Sequence, residues 1–331
     1  MLILAKSILG LMIGFFLSVV LGLFLIPVLR KLKCGQTISS FVAFRHASKQ
    51  GTPTIGGLIF IIPTLITMLV LYLRGSLEIT HNLLIIIFVF VSYALLGFVD
   101  DFLKVRNHNN DGLSITQKLI IQVLIALIFF YIYMQGGGDA YLTITSLGIN
   151  IDLKWLYGIF ILFLLVGSSN AVNLTDGLDG LAGGLSLIAF LSFGIITWGT
   201  TWIAGYQEIA IFCFILVGSI LGFLVYNTHP AKVFMGDTGS LSLGATLAAI
   251  AILTKHELSL ALIGGVFVIE ALSSIIQLIS IKKFNKKVFL MAPLHHHFEM
   301  SGFSEQSVVL LFSFITFIGC FIALLSIIFN W

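Results

Sequence analysis

The sequence predicts an all-α, polytopic membrane protein with about ten transmembrane helices. Three observations support this fold class: hydrophobic residues make up 59% of the 331-residue chain, charged residues make up only 9%, and the mean hydropathy is +1.12. Soluble proteins are roughly 45–50% apolar and roughly 25% charged, so a water-soluble globule of this size could not cover its surface with so few charges. Lipid is therefore the predicted solvent, and the few ionisable residues are the candidates for function.

Apolar stretches in the chain come close to the roughly 20 residues that a helix needs to cross the bilayer core. Their ten centres lie near Phe16, Thr64, Phe90, Ala126, Leu162, Ala189, Leu216, Leu247, Ile269 and Ile318. The first stretch, residues 7–28, is longer than the core of a signal peptide and does not end in a small-residue cleavage site. We therefore expect it to remain as a membrane helix, and residues 1–331 to form a single integral membrane domain.

An even number of spans places both termini on one side of the membrane, and the basic residues indicate which side. With both termini outside, five cytoplasmic loops contain 13 of the 17 lysine and arginine residues. These 13 residues are Arg30, Lys31, Lys33, Arg45, Lys49, Lys104, Arg106, Lys118, Lys232, Lys282, Lys283, Lys286 and Lys287. Because cytoplasmic loops carry the excess of positive charge, we expect this orientation.

One external connection, residues 135–154, is longer than the others. It contains glycines at 136–138 and then side chains that alternate in polarity from Tyr141 to Thr145. Alternation with a period of two is typical of a strand, so we expect a small external β-hairpin here.

Several classes of protein are excluded by the residues that the chain uses. Cys34, Cys213 and Cys320 form no paired motif, so neither a disulfide framework nor a zinc site is expected. The net charge of +3 is too small to indicate binding to nucleic acid. The sequence also contains no P-loop, zinc-protease or nucleophile-elbow motif.

Two adjacent aspartates, Asp100 and Asp101, end the third apolar stretch. Adjacent residues on a helix point about 100° apart, so one carboxylate can face a site while the other orients a neighbouring group. Two carboxylates held close together also raise the pKa of one of them, which suits a general base. The alternative is that the pair only marks the membrane edge, balanced by Lys104 and Arg106.

A polar run at residues 170–180 joins two apolar stretches directly. Asn173, Asp176 and Asp179 are spaced at i, i+3 and i+6, so a helical turn would place them on one face. Gly177 and Gly180 permit a close approach of backbone or a local break. A plain surface turn is the alternative, but it is disfavoured because the run connects two predicted spans directly.

Another polar run, residues 227–240, places Asp237 between glycines just before a span. A carboxylate in this position can hold Mg²⁺, which prefers oxygen ligands and keeps several waters. The N–H groups at the start of the following helix favour phosphate. Alternatively, Asp237 serves only as the N-cap of that helix.

Three successive histidines, His295, His296 and His297, follow a basic run at residues 282–287. Three neighbours on a helix cannot face one point, and Mg²⁺ does not select imidazole, so a tri-histidine metal centre is not expected. Histidines close to lysines fit a phosphate or diphosphate site better.

A glycine- and proline-rich run, residues 49–57, enters the second apolar stretch. Its composition suits a bent re-entry, and Lys49 could meet an anionic substrate there. Together the five runs predict a Mg²⁺-dependent reaction between a phosphorylated soluble substrate and a lipid, at one cytoplasmic face.

The five runs together resemble the polyprenyl-phosphate N-acetylhexosamine-1-phosphate transferase superfamily. Residues 51–57 and 293–299 are similar to its phospho-N-acetylmuramoyl-pentapeptide-transferase family, which usually has methionine at the position of Ile55. The resemblance covers nearly the whole chain. It implies transfer of phospho-MurNAc-pentapeptide from UDP-MurNAc-pentapeptide to undecaprenyl phosphate, which yields lipid I and UMP in peptidoglycan biosynthesis. It also implies a ten-helix enzyme of the bacterial cytoplasmic membrane with Mg²⁺ as cofactor, and a homodimer is typical of the family.

The resemblance implies a role for each motif. It implies that Asp100, Asp101, Asp237 and His295 are catalytic, that Asp237 is the Mg²⁺ ligand, and that Asp100 deprotonates the lipid phosphate. The residues implied in substrate binding are Lys49, Lys104, Lys118, Asn173, Asp176, Asp179, Phe234, His296 and His297.

The binding residues divide by the part of the substrate that they would contact. The resemblance places Phe234 against uracil, Lys49 at the uridine end, and the run 173–179 on the nucleoside side of the pocket. Lys104 and Lys118 are implied in phosphate contact, and the histidines in diphosphate binding. Two mechanisms stay open: direct attack of the lipid phosphate on the β-phosphate, which we favour, or a covalent aspartyl intermediate.

Two rival functions remain at this stage. One is a sister enzyme that transfers GlcNAc-1-phosphate or another hexosamine phosphate, which the run at 293–299 disfavours. The other is a secondary transporter, for which Glu270 within a span is the main argument. For Glu270 we expect a structural role, bonded to a neighbouring helix or to a lysine near the cleft.

Overall fold

The computed structural model describes residues 2–32, 34–35, 49–107, 111–144, 149–199 and 205–328. Of the basic residues that predicted the orientation, Lys33 and Arg45 lie outside this described part, as does Thr145 of the predicted hairpin.

The described residues form twelve helices and one two-stranded sheet, and the chain is therefore nearly all-α as predicted. In chain order the elements are α1 (Leu2–Lys31), α2 (Leu58–Leu73), α3 (His81–Asn107), α4 (Ile115–Gln135), β1 (Tyr141–Ile144), β2 (Ile149–Asp152), α5 (Leu156–Thr175), α6 (Leu181–Gly199), α7 (Tyr206–Asn227), α8 (Gly236–Leu253), α9 (Glu257–Ile263), α10 (Gly265–Phe284), α11 (Leu294–Met300) and α12 (Glu305–Ile328).

Nine of these helices are long and apolar enough to cross a membrane. The span predicted near Thr64 corresponds to α2, which is apolar but has only 16 residues. The predicted centres therefore all fall in helices, and the polytopic membrane fold is confirmed. The sequence analysis did not identify α9 and α11, because each has only seven residues and neither could span a bilayer alone.

The predicted hairpin is present as an antiparallel pair in which Tyr141 lies opposite Asp152. It is held to the bundle through Lys255, which follows α8 directly. The Lys255 Nζ lies 2.5 Å from the Oδ1 of Asp139, just before the hairpin, and 3.2 Å from the carbonyl oxygen of Tyr141 in its first strand. The C-terminal end of α8 is thus bound to the hairpin, whereas its N-terminal end carries Asp237. The 18 residues between these ends correspond to about 27 Å of helix.

Helix α8 lies at the centre of the bundle, against α3 and α5. All of its residues except Gly236 are buried. Its composition of glycine, alanine and serine permits this, because small side chains allow neighbouring helices to approach closely. The approach is tightest at Gly97 of α3, where an added Cβ would lie 2.1 Å from the Asp237 carbonyl oxygen. This contact brings the C-terminal turns of α3, with Asp100 and Asp101, against the start of α8.

Candidate active site

The carboxylate of Asp237 is the point at which four helices meet. Its Oδ2 accepts hydrogen bonds from Lys118 of α4 at 2.5 Å and from Lys104 of α3 at 3.1 Å. Its Oδ1 accepts one from the Asn173 side-chain amide of α5 at 2.7 Å. Four predicted site residues that lie far apart in the sequence are thereby brought together: Asp237 and Asn173 from two polar runs, and Lys104 and Lys118 from the resemblance. The two lysines bring positive charge to a carboxylate at a helix N-terminus, an arrangement suited to a phosphate group.

Asp100 and Asp101 are both buried, but they contact different groups. The Asp100 Oδ1 accepts the Leu113 N–H at 2.9 Å, and its Oδ2 lies 2.6 Å from the Lys104 Nζ. Asp101 points instead at the first turn of α8. It accepts the N–H groups of Asp237 at 3.1 Å and Thr238 at 2.9 Å, and the Thr238 hydroxyl at 2.6 Å. Asp101 therefore caps α8 from a neighbouring helix.

We expect Asp101→Ala to lower the free energy of unfolding by about 1–3 kcal/mol, because two amides and a hydroxyl at the start of α8 would lose their acceptor in a buried place. Thr238→Val removes only the hydroxyl bond and should cost about 1 kcal/mol or less. Thermal unfolding of the two variants in detergent measures this difference. Equal stability of Asp101→Ala and the unmodified protein would show that the cap does not contribute.

Asp100, Asp101 and Asp237 form a candidate metal centre, which we call the acidic centre. Each offers one carboxylate oxygen, and these three oxygens lie within 4.8 Å of one another. A donor set made only of oxygen fits a hard divalent cation such as Mg²⁺. Lys104 and Lys118 beside this set would share the remaining negative charge of a phosphate.

Asp176 and Asp179 lie in a turn, and the predicted helical face through Asn173 is wrong. Helix α5 ends at Thr175, and Asp176 leaves the helical region with φ −77° and ψ 49°. Gly180 then takes a left-handed conformation with φ +79°, which a glycine adopts without strain. The chain reverses over these residues, so the side chains reach two different clusters. We call residues 176–180 the aspartate turn.

The carboxyl of Asp176 is partly buried at this turn. Desolvation, together with smaller contributions from the carboxylates of Asp237, Asp101 and Asp179, raises its pKa to about 8. Asp176 thus faces the acidic centre although it follows a different helix.

Asp179 belongs to a second polar cluster, which also contains Lys49. The Lys49 Nζ lies 2.6 Å from the Asp179 Oδ1 and 2.5 Å from the Glu305 Oε1. The His229 Nδ1 lies 3.1 Å from the Asp179 Oδ2. Asp179, His229 and Glu305 could also group around a metal, but this donor set includes an imidazole, which Mg²⁺ does not select, and Lys49 pairs with both carboxylates. We therefore interpret this cluster as an ion-pair network.

Glu305 and His229 were not among the predicted site residues. His229 lies in the polar run at 227–240, which provided a weak signal. Glu305 opens α12 far along the chain and carries no motif. The predicted residue Phe234 is partly buried, and its backbone pairs with the run at 49–57. Its N–H donates to the Pro53 carbonyl, and its carbonyl accepts the Gly56 N–H, both at 2.8 Å.

The three histidines on α11 contact three different partners, as three neighbours on a helix must. The His295 N–H and Nδ1 meet the two carboxylate oxygens of Glu270 at 3.0 and 2.9 Å. The His296 Nδ1 lies 2.9 Å from the Glu299 Oε2, and the His297 Nδ1 accepts the Leu290 N–H at 3.1 Å.

Of the three rings, His295 lies against the aspartate turn. A Cβ added at Gly177 would be 2.3 Å from the His295 Nε2, which connects α11 with Asp176 and so with the acidic centre. Glu270 is bonded to a neighbouring helix, one of the two expected arrangements, and its partner is a histidine of that helix.

Comparison with known proteins identifies the family of this chain. The family model for glycosyl transferase family 4 matches residues 83–255, which contain Asp100, Asp101, Asp176 and Asp237. The phospho-N-acetylmuramoyl-pentapeptide-transferase of Bacillus licheniformis is 49% identical over 299 residues, which cover 90% of this chain and 91% of the relative. That of Bacillus subtilis is 49% identical over 301 residues, 91% of each chain. The corresponding protein of Geobacillus thermodenitrificans is 48% identical over 300 residues, again 91% of each. The chain therefore belongs to the phospho-N-acetylmuramoyl-pentapeptide-transferase family, within glycosyl transferase family 4.

Proposed function

We propose that this protein transfers phospho-MurNAc-pentapeptide from UDP-MurNAc-pentapeptide to undecaprenyl phosphate, with lipid I and UMP as products, in peptidoglycan biosynthesis. The observation that carries the proposal is the acidic centre, where three carboxylates and two lysines converge at one end of a membrane bundle. Such a centre suits the transfer of a phosphoryl group between an anionic soluble substrate and an anionic lipid.

We assign Mg²⁺ as the cofactor, with Asp237 as its main ligand and Asp100 and Asp101 near it. When bound, the cation neutralises the diphosphate of the substrate. Lys104 and Lys118 contact the phosphate groups and hold them beside Asp237. Because little covalent chemistry is required of the protein, most of its contribution is positioning and charge stabilisation.

The ends of the substrate are assigned to the two polar clusters. Asp179 and Lys49 lie with Phe234 on the nucleoside side, and the turn at Asp176 leads from there to the diphosphate. Asn173 supports Asp237 through its amide. His295 reaches the diphosphate side of the aspartate turn, and His296 and His297 bind the substrate beside it, where the His297 ring also holds the preceding loop at Leu290.

We favour direct attack of an oxygen of the lipid phosphate on the β-phosphorus of the nucleotide sugar. The bond between the β-phosphorus and the bridging oxygen breaks, UMP leaves with that oxygen, and Asp100 accepts the proton of the lipid phosphate. Asp101 is the weaker candidate for a covalent nucleophile because both of its oxygens already accept hydrogen bonds from α8. Isolation of a phospho-sugar enzyme in the absence of lipid would favour the two-step alternative.

We place the site on the cytoplasmic side of the bacterial cytoplasmic membrane, with both termini outside. The described lysines at the Asp237 end include Lys49, Lys104 and Lys118, whereas the hairpin end carries Lys154 and Lys255. The positive-inside rule then supports this orientation.

Release of UMP by the purified protein in detergent tests the proposal. We expect release that requires undecaprenyl phosphate, UDP-MurNAc-pentapeptide and Mg²⁺, and that EDTA abolishes. Release with UDP-GlcNAc in place of the muramoyl substrate would identify the sister enzyme instead. Uptake of substrate into proteoliposomes without release of UMP would indicate a transporter. Against the transporter stands Glu270, whose carboxylate is fully engaged by His295.

A further inference from the structure

A buried carboxylate and a buried imidazole form a pair between α10 and α11. The side chains of Glu270 and His295 are both 0% exposed. Glu270 binds His295 at two points: its Oε1 accepts the backbone N–H at 3.0 Å, and its Oε2 lies 2.9 Å from the Nδ1. One carboxylate thereby holds both the backbone and the ring of the same residue.

Stability alone does not account for this pair. An ionised carboxylate far from water costs several kcal/mol in desolvation, and a well-packed apolar pair is often at least as stable. The two-point contact leaves His295 few alternative ring orientations, however. It also determines which nitrogen carries a proton, because the Nδ1 beside a carboxylate is the donor.

The other ring nitrogen lacks a partner. The His295 Nε2 is buried and makes no hydrogen bond to the residues that the structure describes. It borders the aspartate turn at Gly177, where the absence of a side chain lets the turn approach the ring closely: an added Cβ would lie 2.3 Å from the Nε2. A buried polar atom without a hydrogen-bond partner lowers the stability of the folded protein. A bound ligand is therefore the expected partner of this nitrogen.

We propose that Glu270 is a positioning residue for the transfer reaction and acts through His295, whose Nε2 it presents to an anionic oxygen of the substrate diphosphate. This inference rests on the proposed function. An imidazole that carries a proton on both nitrogens donates from each, so the Nδ1 can donate to Glu270 while the Nε2 donates to phosphate. Groups that orient a functional histidine from behind typically contribute 10–100-fold to its activity, as known for histidines that bind metals.

A double-mutant cycle with Glu270→Gln and His295→Asn tests the proposal. We expect Glu270→Gln to lower kcat roughly 10–100-fold with little change in KM. Because Glu270 acts through the ring, the double variant should be no slower than His295→Asn alone. Losses that multiply in the double variant would overturn the proposal. Glu270→Asp keeps the charge and should retain more activity than Glu270→Gln, and it replaces Glu270→Gln in the cycle if that variant does not fold.

Glu257→Gln is the matched control for loss of a buried carboxylate. Glu257 is 2% exposed and bonds the Tyr157 hydroxyl at the far end of α8. We expect this variant to lose stability but to keep the kcat of the unmodified protein. A fall in kcat as large as that of Glu270→Gln would mean that any buried glutamate has this effect.

A spectroscopic measurement separates this inference from the proposed function. The ring ¹⁵N resonances of His295, identified by their loss in His295→Asn, should show a protonated Nδ1 that shifts in Glu270→Gln. This result does not depend on which substrate the protein uses. An unprotonated Nδ1 would overturn the inference even if lipid I is formed, whereas absence of transfer with the expected shift would reject only the proposed function.

Discussion

Asp237→Asn lowers the rate of transfer about 10³-fold or more, and this is the largest effect that we expect from a single substitution. The carboxylate is the shared partner of Lys104, Lys118 and Asn173. Removal of its charge takes from Lys118 the carboxylate that it contacts, leaves Lys104 paired with Asp100, and takes the central ligand from the candidate metal centre. The amide that replaces it still begins α8, so the bundle should fold.

The measurement is the rate of UMP release as a function of Mg²⁺ concentration, together with thermal unfolding in detergent. Asp152→Asn is the matched control, because Asp152 lies exposed in the hairpin and the contact described for its carboxylate is with the Lys154 N–H. We expect the control to retain full activity. A near-normal rate for Asp237→Asn, with the usual dependence on Mg²⁺, would overturn the assignment of the site.

Gly177→Ala should lower turnover about 100-fold, because the new methyl group meets a ring that cannot move away. The Cβ would lie 2.3 Å from the His295 Nε2, closer than real carbon contacts allow. Glu270 holds the ring at its backbone and at its Nδ1, so the aspartate turn itself must shift. Such a shift displaces Asp176 from the acidic centre and covers the nitrogen that faces the site.

Gly184→Ala controls for the change of glycine to alanine in the same stretch of chain. Gly184 lies in α6, where an added Cβ would be 3.8 Å from the Ser313 hydroxyl oxygen, an ordinary contact. Alanine also favours a helix over glycine by roughly 1 kcal/mol, so this variant should be active and at least as stable. If Gly177→Ala turned over as fast as Gly184→Ala, the contact with His295 would have no part in the reaction.

The sequence predicted the fold well because the bilayer imposes a local rule. A membrane helix must be apolar along its own length, so composition within a window of about 20 residues suffices to locate it. The exceptions are α9 and α11, which are too short for that rule. The prediction of a helical face through Asn173, Asp176 and Asp179 was wrong for a related reason: residue spacing alone does not show that the helix ends at Thr175.

The candidate site could be predicted as a set of residues but not as a set of contacts. Polar runs in an apolar chain stand out, so every predicted site residue except Lys104 and Lys118 came from a visible motif. Glu305 did not, since one acid at the start of a helix has no distinguishing pattern, yet it bonds Lys49 across 256 positions. The partner of Glu270 was likewise undetermined, because nothing local to a residue identifies what packs against it.

The sequence by itself determined the solvent of this protein, the places of its long helices and the motifs from which a site could be built. The tertiary structure decided which group each side chain serves: Asp101 caps α8, Asp100 contacts Lys104, and Glu270 holds His295. The physical reason is the range of the interactions. Burial in lipid acts on each segment separately, whereas a hydrogen bond or an ion pair requires two distant segments to pack within about 3 Å.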